Sequence, residues 1–292
     1  MSGEKLHMDK ATGMDLIAAH WLLAGQRPSI DPAPCPLPLG ERARMAGQTG
    51  YAGIGLLATE LEREVARHGI HGVAAMLEDA GIRHVELEAL TDWWRDDDAW
   101  RRSLDQMIQW GSAIGARLIK ATGDFSANPC ALDDMRDAFA LVAGSARQGG
   151  VPIALEIIAF SNIANVADAC MVLGDRVGKG AGLMLDSWHV ARGCLALDSI
   201  SSLPHGAIMG VEISDVGPVI MGDLLSDTLD HRLVPGEGEV PLAGFLAAVA
   251  EAGYSGPIGL EVLSAALRRE TMPTALVRCA QAARKILSKA IE

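Results

Sequence analysis

The sequence predicts a single closed (β/α)8 TIM barrel spanning residues 1–292, and three observations carry that expectation. Strand-like and helix-like segments alternate roughly every 30 to 40 residues, the size of a βα unit. Eight such units fit the chain, with no interior linker or low-complexity block to mark a second domain. Runs such as VPIAL and AGLML are apolar throughout rather than alternating, as strands buried on both faces should be. An open doubly wound sheet is the competing architecture.

Leu16 to Leu22 reads as strand one. Pro28, Pro32, Pro34, Pro36 and Pro38 follow, so residues 25–40 read as a stiff loop that is neither helix nor central strand. Helix one starts near Gly40, and Tyr51 to Leu57 is strand two. Gly72 to Ala80 reads as helix two, stopped by Gly81, before strand three from His84 to Ala89. Trp100, Leu104, Met107, Ile108, Gly111 and Ile114 recur at helical spacing and define helix three, which Gly115 ends. Leu118 to Thr122 is strand four and Leu132 to Gln148 helix four. After Gly149 and Gly150 come strand five, Pro152 to Ile157, and helix five, Val166 to Leu173. Strand six is Gly182 to Asp186, helix six is short and near Ile200, and strand seven is Ala207 to Ile213. A long excursion from Gly217 to Val240 precedes helix seven (Leu242 to Ala252), strand eight (Pro257 to Val262) and helix eight (Thr274 to Leu287).

Half the residues are hydrophobic, enough for a sizeable core. The net charge of −12 argues against binding nucleic acid or an anionic membrane, because phosphates are repelled. Five cysteines without a CxxC pair show neither a disulfide framework nor zinc-finger spacing, which fits a reducing cytoplasm. Lys5 and Lys10 precede an apolar run, Met14 to Ala24, with a faint likeness to a signal peptide. Asp9, Asp15 and His20 interrupt that pattern, so a cytoplasmic location is expected. No stretch is long and uncharged enough to span a bilayer.

Four apolar runs each end in an acid: Glu156, Asp186, Glu212 and Glu261. A carboxylate at the tip of a buried strand is costly to keep charged without a partner. In parallel β/α folds these tips carry the site. Four carboxylates meeting there would repel, and a shared divalent cation removes the conflict. An all-oxygen set favours Mg²⁺ or Mn²⁺ over zinc. His189, three residues after Asp186, can turn inward toward a substrate oxygen. Arg232 can neutralise a developing oxyanion or hold Glu212 or Asp215. Lys120 ends strand four and can orient a substrate oxygen. Glu88 shares a strand face with Glu86 and can face the pocket, with Trp93 and Trp94 just beyond it. Trp94, Trp188 and Phe160 are expected to help line the pocket. GDRVGKG lacks the spacing of a phosphate loop.

The segments ALEII, LMLDSWH, VEISD, HRLVPGEGEV and YSGPIGLEV resemble, in order and spacing, the xylose isomerase-like TIM barrels. This is the group of sugar phosphate isomerases and epimerases, which also contains inosose dehydratase and endonuclease IV. The resemblance covers the chain from about Tyr51 onward and is strongest after Val151. It implies that Glu156, Asp186 and Glu261 bind the metal, and that Glu156 and Glu261 work as paired acid and base through an enediolate. His189 and Arg232 match the substrate-contacting histidine and the arginine of the closing loop. One departure stands out: the family's usual histidine ligand on strand seven is here Glu212, either a fourth hard ligand or a partner of Arg232.

The expected activity is therefore a metal-dependent isomerase or epimerase acting on a sugar or related polyol. A lyase or dehydratase on a keto-sugar or aromatic substrate, using the same metal and base, is the alternative. A non-catalytic binding protein with a degenerate site is a third reading that Glu212 keeps open. DNA hydrolysis is disfavoured, since only His20 and His189 fall near strand tips. The expected partner is a small-molecule substrate, and relatives often pair as homodimers, though no stripe here marks a dimer face.

Overall fold

The computed structural model describes residues 14–29 and 32–290. Among them, eight parallel strands close in sequence order into a barrel. These are β1 (Leu16–Ala18), β2 (Gly53–Leu57), β3 (His84–Leu90), β4 (Leu118–Ala121), β5 (Ile153–Glu156), β6 (Ala181–Asp186), β7 (Ile208–Ile213) and β8 (Ile258–Leu260). β1 pairs with both β2 and β8, which closes the ring and excludes the open sheet.

The helices are α1 (His20–Ala24), α2 (Leu39–Gln48), α3 (Ala58–Asp79), α4 (Ala99–Ile114), α5 (Leu132–Gly149), α6 (Val166–Leu173), α7 (Ser187–Arg192), α8 (Leu197–Ser201), α9 (Leu224–Asp230), α10 (Leu242–Glu251) and α11 (Met272–Ala290). α4 shows why the spacing was readable. It buries Trp100, Leu104, Met107, Trp110 and Gly111 on one face, and Gly115 ends it in the left-handed region at φ 66°. Each large side chain so buried contributes about 1.5–3 kcal/mol.

Several boundaries differ from expectation. β1 stops at Ala18 because α1 begins at His20, so the apolar run is half strand and half helix. α3 starts at Ala58 rather than Gly72, and its kink at Gly69 (φ 68°) explains why the first half hides from a search for periodicity. α7 and α9 are short helices inside segments read as loops. Met14 and Asp15 belong to the barrel's start, whereas Lys5, Asp9 and Lys10 lie outside the described residues. No helix among the described residues is long and apolar enough to cross a membrane.

The barrel interior is layered. Leu118, Ala154 and Met184 pack together low in the barrel, with Met209 against them. Above them the charged tips begin. Register places Asp186 beside Glu212 and Glu212 beside Gly259. A Cβ on Gly259 would sit 2.6 Å from Cγ of Glu212, so only glycine there leaves room for the acid to lie inside the barrel.

Candidate active site

The tips of β4 to β8 bring most of the expected residues together. One carboxylate oxygen each from Glu156, Glu212 and Glu261 lies within 4.8 Å of the others, and all three residues are buried. Asp186 is adjacent but committed elsewhere. Its Oδ1 accepts from the backbone N–H groups of Trp188 and His189, capping α7, and its Oδ2 accepts from Arg232 at 2.9 Å. The structure thus gathers three of the four expected acids within 4.8 Å and holds the fourth beside them on Arg232.

Arg232 is 1% exposed and organises the β5–β8 side. Besides Asp186 it donates to Thr228 Oγ1, Ser214 Oγ and the backbone oxygen of Glu261, and it lies 3.1 Å from Oε2 of Glu261. Its expected alternatives, Glu212 and Asp215, are not its partners. Asp215 instead accepts from the backbone N–H groups of Val216, Gly236 and Val240, shaping the PGEGEV turn.

Glu212 is held by a lysine. Lys120 Nζ lies 2.6 Å from Glu212 Oε1 and 3.3 Å from Glu88 Oε1. Burial works against a charged ammonium there, but Glu212 and Glu88 outweigh it and raise the Lys120 pKa well above its usual value. Burial raises the pKa values of Glu156 and Glu261 above the usual carboxylate range, with Lys120 and Arg232 opposing; for Glu156 the result is about 8. Among the described residues no lysine or arginine pairs with Glu156, in contrast to Glu212 and Glu261.

His189 lies on α7 and is buried, its ring 4.9 Å from that of Trp188 and 5.7 Å from that of Phe160. Burial drives its pKa down to about 3, so the imidazole is neutral. Trp188 is fully buried beside the site on α7, with the Arg232 guanidinium 5.2 Å from its ring. Trp93 is likewise core, its Nε1 donating to the Thr122 backbone oxygen at 2.8 Å. Trp94 and Glu88 do line a cleft of about 640 Å³ over the tips of β2 to β4. Thr59, Arg95, Asp124 and Phe125 also line it, and none of them carried a sequence signal.

The residues fit a divalent cation. Glu212 Oε2 is buried and receives no hydrogen bond, an orphaned acceptor of the kind a cation satisfies. The donor set is all oxygen, suited to a hard cation.

The sequence matches the family described as Xylose isomerase-like TIM barrel over residues 43–282. A 3-dehydroshikimate dehydratase of Pseudomonas aeruginosa is 32% identical over 57% of this chain and 26% of its own length. One of Pseudomonas putida is 30% identical over 47% of this chain and 21% of its own. The matched stretches thus span about a quarter of these curated relatives. Among solved structures, an IOLI protein with a bound zinc atom superposes with a TM-score of 0.81 at 19% identity, covering 94% of this chain and 99% of that one. A D-psicose 3-epimerase with D-tagatose from Clostridium cellulolyticum H10 gives 0.68 at 17% identity, covering 96% and 100%.

Proposed function

Because the chain belongs to the xylose isomerase-like TIM barrel family, an enzyme family, we propose that it is a divalent-metal-dependent isomerase or epimerase of a small hydroxylated carbonyl compound. The observation that carries this reading is the convergence of Glu156, Glu212 and Glu261, with one buried oxygen of Glu212 left without a donor. These three residues would hold the cation, with Asp186 and Arg232 beside them. When bound, the cation supplies Lewis-acid polarisation of the substrate carbonyl.

Glu156 removes the proton from the neighbouring carbon, being the acid of the three that no lysine or arginine pairs with among the described residues. Glu261, steered by Arg232, returns a proton to the resulting enediolate. Neutral His189 sits beside them, its Nδ1 accepting from the Ala159 backbone N–H at 3.3 Å and its Nε2 lying 3.4 Å from the Arg232 guanidinium. Mn²⁺ or Mg²⁺ suits the oxygen donors. A small-molecule substrate is the partner, in keeping with a net charge of −12 that repels nucleic acid.

A second reading, elimination, has a specific observation in its favour: both curated relatives are named dehydratases. Arg232 also clamps Glu261 and leaves Glu156 as the one free base, an asymmetry suited to one-base chemistry. The same proton removal would then be followed by loss of the β-hydroxyl as water, with a C–H and a C–O bond broken and a C=C bond formed. The test is incubation in heavy water with Mn²⁺ and a panel of keto-sugars and cyclic hydroxy-keto acids, 3-dehydroshikimate among them. Deuterium in recovered substrate or its epimer supports isomerisation. A dehydrated, conjugated product supports elimination. Neither outcome with the metal-loaded protein removes both readings.

A further inference from the structure

A second cluster lies at the tips of β1 and β2, outside the three-glutamate centre. His20 opens α1, Glu60 lies in the first turn of α3, and Cys35 sits in the proline-rich loop. One ligand atom from each lies within 4.8 Å of the other two. His20 and Glu60 are buried and Cys35 is partly buried.

This cluster is not a closed set of hydrogen bonds. Arg42, fully buried, donates to the Leu37 backbone oxygen and to Glu60 Oε1, which occupies one carboxylate oxygen. The other, Oε2, is buried and receives no hydrogen bond, although His20 Nδ1 is 3.2 Å away. The Leu57 backbone N–H points at that same Nδ1 from 3.3 Å. A proton or a metal cation between this nitrogen and the carboxylate oxygen would satisfy both.

We propose that His20 Nδ1, Cys35 Sγ and Glu60 Oε2 form a second metal site, selective for a thiophilic divalent cation of the zinc type. One nitrogen, one sulfur and one oxygen ligand with a fourth position open to water is a donor set that zinc accepts. Thiolate and imidazole ligands make it softer than the all-carboxylate centre, so the two sites favour different ions. Binding breaks the Cys35 S–H bond, forms the S–metal bond and releases that proton to solvent. The bound ion would tie the proline-rich loop to the tips of β1 and β2, alongside the substrate cleft.

Titration of the metal-stripped protein with cobalt(II) tests this. The expected result is a near-ultraviolet thiolate-to-cobalt charge-transfer band, which the carboxylate centre cannot produce. Cys35→Ser should lose the band and bind one cobalt equivalent fewer with an unchanged far-ultraviolet circular dichroism spectrum. Glu156→Gln should keep the band, so failure at the catalytic centre is not mistaken for failure here. A wild-type protein with no such band, or a band that Cys35→Ser leaves intact, overturns the site; a proton shared by His20 and Glu60 would then be the occupant.

Discussion

The two arcs of the barrel rim handle buried charge in different ways. On the β5–β8 arc, one guanidinium, Arg232, engages Asp186, Glu261, Ser214 and Thr228 at once, and the acids are held before any substrate arrives. The β1–β4 arc has no such organiser. Arg42 and Glu60 pair locally, and Glu88 leans on Lys120, which itself crosses the barrel to Glu212. Beside them the cleft lined by Trp94, Arg95, Asp124 and Phe125 is left open. Under the proposed function, preorganised charge on one side and open volume on the other would separate two tasks: holding the reacting carbon, and selecting what reaches it.

Substitutions can break or sharpen this contrast. The largest effect is expected on the organised arc: Glu156→Gln should lower solvent-proton exchange about a thousandfold without loss of fold. Near-normal exchange would remove Glu156 as the base, and stripping the cation with a chelator should abolish exchange in the wild type. Arg232→Met leaves Asp186 as an uncompensated buried carboxylate, so urea unfolding should show a loss of about 3–5 kcal/mol. The matching change on the open arc, Arg95→Met, should stay within about 0.5 kcal/mol, since its pair with Asp92 is exposed. Equal losses at the two arginines would erase the distinction between the arcs.

A smaller effect comes from His189. Its folded pKa of about 3 lies below the ordinary 6.5. Unfolded chains therefore bind a proton that the folded ring refuses, and stability is full above 6.5 and falls as pH drops toward 3. The metal-free protein should lose about 2 kcal/mol from this group on going from pH 7 to pH 5. His189→Gln should flatten that slope, and an unchanged slope would mean that the imidazole is not held neutral. The mildest change is expected at the cleft: Trp94→Ala should raise KM about tenfold and leave kcat in place, the mark of a wall rather than a reacting group.

The barrel was legible because its strands are apolar runs ending in acids and α4 repeats its buried face without interruption. Glu156, Glu212 and Glu261 could be grouped because strand order in a barrel brings tips together however far apart they lie in sequence. What escaped depends on direction rather than spacing. Spacing cannot show that Trp188, two residues after Asp186, is fully buried, or that Arg232 takes Asp186 rather than Glu212. Lys120 read as a rim residue, yet the barrel diameter lets it span from β4 to β7. Cys35 and Glu60 gave no hint of each other, because a proline loop and the kinked start of α3 meet only after folding.

The space beside Glu212 sets a limit on redesign. Since Gly259 is empty only to the extent that Glu212 fills it, the two positions behave as a single unit of volume. An experimenter restoring a histidine at position 212 would inherit a gap or a clash set by the neighbouring strand, along with a stranded ammonium on Lys120. A change at 212 is therefore tied to Lys120, which loses its 2.6 Å partner, while Gly259 has to stay glycine for any side chain at 212 that carries a Cγ.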